Sequence, residues 1–322
     1  MPAPNAIEKI SDMASTRDQV AVIDLSDWLA RTPEGDAVAM RLVDSFRKVG
    51  FVYVIGHGIA AEAVTAIFRA SYRLFQQTPA QLDKVHYRHA GHYHGYVPKG
   101  VLAGTGSFHE LYDCGMDIGD DYQGPGAYLS NMPNPWPEDL PGFRETVEGY
   151  QQLMRPLADE LLAAIGVGLG LPRDFFQARS AIPHAQLRLL HYLPRPDAPD
   201  DALSVGRHSD YEAVTILAQD DVGGLQVRDP HGQWMDIKPI EGAFLINAGD
   251  MLVRWTNGTI PATPHRVRTP RERERYSVAF FYGTSYDVVM EPVLPPAHPV
   301  VERHEPVTGG EYLWQRFTEH GI

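Results

Sequence analysis

The 322-residue sequence has a single cysteine, Cys114, so no intrachain disulfide can form and a reducing, cytoplasmic setting is expected. Cys114 itself reads as a small apolar filler. Positive charge is scarce. Lys and Arg number 28 against 41 Asp and Glu, a formal net charge of −13 that argues against nucleic acid or an anionic membrane as partner. No apolar run occupies the N-terminal segment, which predicts no secretory signal, and no run elsewhere approaches the ~20 residues of a membrane helix. Low-complexity tracts and internal repeats are also missing. What remains is a chain with 43% hydrophobic residues, enough for one large core or two intimate subdomains.

Residues 1–18 are polar, and residues 20–25 alternate as a short strand. From Asp36 to Lys48, Val38, Leu42, Val43 and Phe46 share one helical face, and Gly50 stops the helix. Phe51 to Ile55 is an apolar run of strand length. A second helix follows with Val64, Ile67, Phe68, Tyr72 and Phe75 inward and Pro79 beyond its end. Residues 84–140 are rich in Gly, Tyr, His and Pro, an irregular stretch expected to contribute to the mouth of a site. Its histidines, His86, His89, His92 and His94, read as a polar loop, because no second ligand group converges on them. Phe143 to Leu169 has helical periodicity, and Pro156 should kink or divide it.

From residue 185 onward strands dominate, at 185–193, 213–219, 224–228, 234–238, 243–247, 251–255 and 275–282. Asp229-Pro230-His231-Gly232 is a hairpin turn, and a short helix around Tyr312 to Phe317 ends the chain. Helices first and short strands later predict an α+β layout around a β-barrel-like core.

Four elements carry chemistry. His208 and Asp210 stand two apart, so on a strand they project to one side. His265 lies far downstream and must come from another strand. Two imidazoles and a carboxylate make a three-ligand face that suits iron(II) and leaves other positions open. A structural zinc site would be closed by four ligands, often thiolates, and Cys114 has no companion. Arg275 and Ser277 are again two apart. The Arg fork matches a carboxylate and Ser adds a hydroxyl, although Arg271, Arg273 and Arg275 alternate with Glu272 and Glu274 and also fit a charged turn. Tyr192 offers a phenol to the same ligand, or fills a core. Asn247, Gly249 and Asp250 read as one tight turn and Thr256-Asn257-Gly258 as another. His57, in a Gly-His-Gly turn, reads as satisfying backbone groups. Leu225, Phe280 and Phe281 are candidates for cavity lining or for plain core.

This ordered string resembles the isopenicillin N synthase-like family of iron(II)/2-oxoglutarate-dependent oxygenases. The resemblance extends to Val22-Ile23-Asp24-Leu25, to the stretch from Val49-Gly50-Phe51-Val52 through Gly56-His57-Gly58-Ile59, and to Trp136-Pro137 with Leu140-Pro141-Gly142-Phe143. It implies a double-stranded β-helix, a jelly-roll variant with flanking helices. Residues 1–140 would be the N-terminal helix-and-strand region and 141–322 a helix plus the jelly-roll core, in one compact unit. It implies iron(II) on His208, Asp210 and His265, 2-oxoglutarate on Arg275, Ser277 and Tyr192, and dioxygen as oxidant. The expected reaction is hydroxylation, desaturation or cyclisation of a small organic molecule, with natural-product tailoring as one setting. The family often has Asn-Tyr-Tyr-Pro where this chain reads Leu190-His191-Tyr192-Leu193-Pro194, so the aligned Tyr is kept and the amide two residues before it is lost. Three other readings stay open at this stage: an iron oxidase without 2-oxoglutarate, a non-catalytic binding relative, and a zinc hydrolase.

Overall fold

The computed structural model describes residues 20–90, 93–100, 108–116, 132–295 and 304–319. The polar N-terminal segment and His92 lie outside these residues. Twelve strands build the two main sheets: β1 (Ala21–Asp24), β2 (Phe51–Ile55), β3 (Gly95–Val97), β4 (His109–Gly115), β5 (Pro183–Tyr192), β6 (Leu203–His208), β7 (Val214–Gln219), β8 (Leu225–Arg228), β9 (Trp234–Asp236), β10 (Phe244–Ala248), β11 (His265–Arg268) and β12 (Arg275–Ser285). The larger sheet runs β1-β2-β10-β7-β12-β5-β4-β3 and the smaller β6-β11-β8-β9. Together they form the double-stranded β-helix of an α+β protein. The N-terminal strands are part of it, since β2 pairs antiparallel with β10.

Period-2 alternation sorts the larger sheet into two faces. Val52 and Val54 of β2, Leu187 and Leu189 of β5, and Val278, Phe280 and Tyr282 of β12 join a core shared with the helices. Their neighbours Phe51, Leu190, Tyr192 and Ala279 join a second core with Leu225, Val227 and Val267 of the smaller sheet. The site lies at this second, inter-sheet face.

The helices cover the first face. In α1 (Gly35–Val49), Val38, Leu42, Val43 and Phe46 are buried at helical spacing, each contributing roughly 1.5–3 kcal/mol by removal from water. Gly50 ends it in the left-handed region at φ 72°, with its amide on the Phe46 carbonyl. The helix α2 (Ala61–Phe75) buries Ile67 and Phe75, but Tyr72, expected inward, is 52% exposed. Pro79 does not merely follow α2. It opens a further short helix, Pro79–Lys84, capped by Thr78 and Gln81. The helix α3 (Phe143–Gly168) carries Pro156 without being divided. Residues 251–255, expected as a strand, are instead inside α4 (Asp250–Thr256). The reason is visible in the packing: Met251, Leu252, Trp255 and Thr256 are buried at i, i+1, i+4 and i+5, a helical spacing that alternation does not satisfy. Among the described residues no helix is long and apolar enough to cross a membrane.

Candidate active site

A cleft of about 590 Å³, open to solvent, lies between the two sheets. His208 ends β6 and His265 begins β11, and the two are paired directly across the smaller sheet. Asp210 follows β6 in the loop leading to β7. One ligand atom from each of the three falls within 4.8 Å of the others. The Asp210 Oδ1 atom is 3.7 Å from His208 Nε2 and 3.6 Å from His265 Nε2.

Each group is aimed from behind. His208 Nδ1 donates to the Gly206 carbonyl at 3.0 Å and His265 Nδ1 to the Thr263 carbonyl at 3.2 Å, which leaves both Nε2 lone pairs for an ion. The other Asp210 oxygen, Oδ2, accepts from Thr215 Oγ1 at 2.6 Å and Asn247 Nδ2 at 2.7 Å. Asn247 is thus a β10 residue that orients a ligand, not part of a turn. Gly249 is required beside it, because a Cβ there would meet the Glu212 carbonyl oxygen at 2.1 Å and that of Asp210 at 3.0 Å.

The electrostatics favour the ligating forms. The His208 side chain is 41% exposed to the cleft, yet enough protein surrounds it for desolvation, then His265, to hold it down at about 4. Burial pushes the Asp210 carboxyl up, but the two imidazoles and the bonds from Thr215 and Asn247 outweigh it and leave it below its ordinary value. A neutral His208 imidazole and an ionised Asp210 carboxylate, with the His265 ring beside them, form a donor set that fits one divalent ion with open positions.

Arg275 and Ser277 sit on β12, facing the same cleft, and both are 1% exposed. Arg275 Nη1 donates to Ser277 Oγ at 3.3 Å and Nη2 to Gln219 Oε1 at 3.1 Å, while Nε, though buried, has no hydrogen-bond partner. The guanidinium lies over the Tyr192 ring at 4.4 Å. A buried guanidinium with no carboxylate of a described residue on it and a donor left over is a ready seat for a carboxylate ligand. Leu190, where the amide is lost, contributes only apolar wall. Leu225 and Phe281 line the cleft, whereas Phe280 packs on the helix face.

Thr215, Gln219 and His109 were not singled out from sequence, and Asn247 was read only as a turn residue. Alternation along β7 gives a signal for two of them, since Thr215, Leu217 and Gln219 share the cleft face. His109, on β4, stacks on Tyr192 at 5.6 Å and donates from Nδ1 to the Ser204 carbonyl at 2.8 Å. It comes from the irregular 84–140 stretch, whose expected share in the site is thereby met by one strand. The remaining histidines of that stretch do not gather around an ion among the described residues. His57 satisfies backbone, with Nδ1 accepting from the Ile59 amide at 3.1 Å.

Burial, above all, pushes the His109 imidazole down to about 4. Its folded value lies below that in the unfolded chain, so acid protonates the unfolded state first. Stability is complete above about pH 6.5 and falls as pH drops from there towards 4, by up to about 3 kcal/mol for this one group. Urea unfolding at pH 7.5 and pH 5 measures it. The His109→Gln variant should lose less stability between the two than wild type, and an unchanged difference would show that His109 carries none of it.

Two family models match the chain: the 2OG-Fe(II) oxygenase superfamily over residues 183–284, and the non-haem dioxygenase in morphine synthesis N-terminal model over residues 20–139. A homoarginine-6-hydroxylase of Oryza sativa subsp. japonica is 32% identical over 94% of this chain and 98% of its own. The chain belongs to the 2OG-Fe(II) oxygenase superfamily. The 2-oxoglutarate-dependent dioxygenase tropC of Talaromyces stipitatus is 33% identical over 85% of this chain and 89% of its own. Among solved structures, a full-length Neurospora crassa protein in complex with alpha-KG and thymine superposes with a TM-score of 0.83 at 28% identity, covering 93% of this chain and 96% of that one. JOX2 in complex with 2OG, Fe and JA gives a TM-score of 0.76 at 25% identity, covering 99% and 94%. This oxygenase is an iron(II)/2-oxoglutarate-dependent dioxygenase that uses Fe(II), 2-oxoglutarate and dioxygen, which removes the cosubstrate-free oxidase, binding-protein and zinc-hydrolase alternatives.

Proposed function

We propose that His208 Nε2, Asp210 Oδ1 and His265 Nε2 hold the iron, that Arg275, Ser277 and Tyr192 hold the far carboxylate of 2-oxoglutarate, and that a small organic molecule is oxidised in the same cleft. The convergence of three free donor atoms on one point, beside a buried arginine with an unfilled donor, carries this reading. When bound, iron(II) supplies the redox chemistry that couples oxidative decarboxylation of 2-oxoglutarate by dioxygen to oxidation of a substrate C–H bond.

The chain's own residues do the rest. The backbone carbonyls of Gly206 and Thr263 fix the ring orientation of the two histidines. Thr215 and Asn247 keep one Asp210 oxygen engaged, so a single oxygen is presented. Arg275 gives the cosubstrate's remote carboxylate a charged fork, Ser277 adds a hydroxyl, and the Tyr192 ring supports the guanidinium from below. Leu190, Leu217 and Val267 keep water from the methylene stretch between. Relatives with similar sequences are named for homoarginine and a solved neighbour holds thymine, which supports a small polar organic substrate of this size class.

The test is succinate release with added iron(II), screened across small organic metabolites under air. Substrate-stimulated succinate, one equivalent per equivalent of oxidised product, is the expected result. Succinate formation that is unaffected by Arg275→Leu or by His265→Ala would remove the residue assignments.

A further inference from the structure

Arg188 stands on the cleft face of β5, opposite Asp113 of β4 and Ala279 of β12. Its Nε and Nη2 donate to the two Asp113 oxygens at 2.7 and 2.8 Å. Asp113 is 3% exposed and both its oxygens are used in this fork, so the guanidinium is held in one orientation. The remaining nitrogen, Nη1, has no hydrogen bond to a described residue. The side chain nevertheless stays 30% exposed, because it opens onto the cleft that holds His208, Asp210 and His265. Its charge acts on Asp210, His208 and His109, which places it beside the donor set. The Phe281 ring lies 5.3 Å away and lines the same cleft.

Arg275 serves a different ligand. It is paired with Tyr192, four residues along β5 from Arg188, or about 13 Å of strand. With the five-carbon diacid assigned to Arg275, no ligand is yet assigned to Arg188. A rigid donor with one free arm, next to an aromatic wall and the reacting centre, is built to fix the orientation of something else.

We propose that Arg188 Nη1 docks the prime substrate, and that this substrate presents an oxygen acceptor there, a carboxylate, carboxamide or ring carbonyl, on an otherwise apolar body. Asp113 is the positioning residue. The inference deepens the reading of the cleft given above and rests on it. A cationic substrate is disfavoured at this end, because Arg188 presents a guanidinium to it.

The experiment is anaerobic and needs no knowledge of the natural substrate. Iron(II) enzyme is first titrated with 2-oxoglutarate, following the visible band of the chelate. Benzoate, benzamide and benzylamine are then added separately, three probes that share a ring and differ in the polar end. Benzoate and benzamide are expected to perturb the band saturably and benzylamine not to. The paired variant Arg188→Gln with Asp113→Asn keeps a neutral hydrogen-bonded pair and should retain the 2-oxoglutarate band, which also reports that it folds. Its affinity for benzoate should fall by at least roughly 10-fold, the loss of one charge-assisted hydrogen bond. Arg188→Lys, with no second arm to spare from Asp113, should fall between the two. Unchanged probe affinity in the paired variant, preference for benzylamine, or no response to any probe overturns the anchor while the band stands. A wild type with no band at all overturns the reading of the cleft, and the anchor with it.

Discussion

Asp210→Ala is expected to leave no measurable turnover of 2-oxoglutarate in a protein that still folds. His208→Ala and His265→Ala should behave alike. Each would remove one of the three proposed donors from a site with no fourth among the described residues, and Asp210 is the one carboxylate of that set. Chelation should silence the wild type, and iron(II), not zinc, should restore it. A graded result is expected one step back. Thr215→Val and Asn247→Ala keep all three donors but release Asp210 Oδ2, and such orienting partners contribute about 10- to 100-fold in metal affinity. Metal titration of purified variants, with succinate release as the second readout, separates the two classes. Full activity in any of the three ligand variants would end the assignment.

Arg275→Leu should weaken 2-oxoglutarate binding roughly 10- to 150-fold, the equivalent of about 1.5–3 kcal/mol for a charge-assisted hydrogen bond. The structure makes the expectation sharper than charge alone. The guanidinium is already fixed by Gln219, Ser277 and the Tyr192 ring, so little ordering remains to be done on binding. Arg275→Lys should restore the charge without the fork and recover only part of the affinity. Ser277→Ala should cost less than either. Metal affinity should stay near wild type in all three, since none supplies a ligand. The anaerobic 2-oxoglutarate titration of the iron(II) enzyme decides it, and wild-type affinity in Arg275→Leu would place the anchor elsewhere.

The fold was legible where period and punctuation agree. The helix ending at Gly50 and most strands of the C-terminal half follow from spacing that a single segment carries, but β6 was not among the strands read, and Asp210 lies in the loop beyond it, not beside His208 on one strand. The error at 251–255 has the opposite character. A short apolar run does not separate strand from helix, and only its packing around Met251 and Trp255 settles it. Pro156 passes inside a long helix because the packing of Val147, Tyr150, Leu157 and Leu161 on both sides of it outweighs one missing amide. In the site, the metal donors and the Arg275 pair stood out through their order along the chain and the family resemblance that order carries. Thr215, Asn247 and Gln219 did not, since an ordinary hydroxyl or amide acquires its role only from what lies across the sheet. Arg188 and Asp113 are 75 residues apart, and no local pattern announces a pair made by strand register.

The three donors also divide between the two walls of the barrel. His208 and His265 belong to the smaller sheet, while Asp210 is tethered through Thr215 and Asn247 to the larger one. An ion shared among them, as proposed, would act as a rivet across the seam. Folding and metal uptake would then be linked quantities, and iron supply would set how firmly the two walls are held in register, before any cosubstrate arrives.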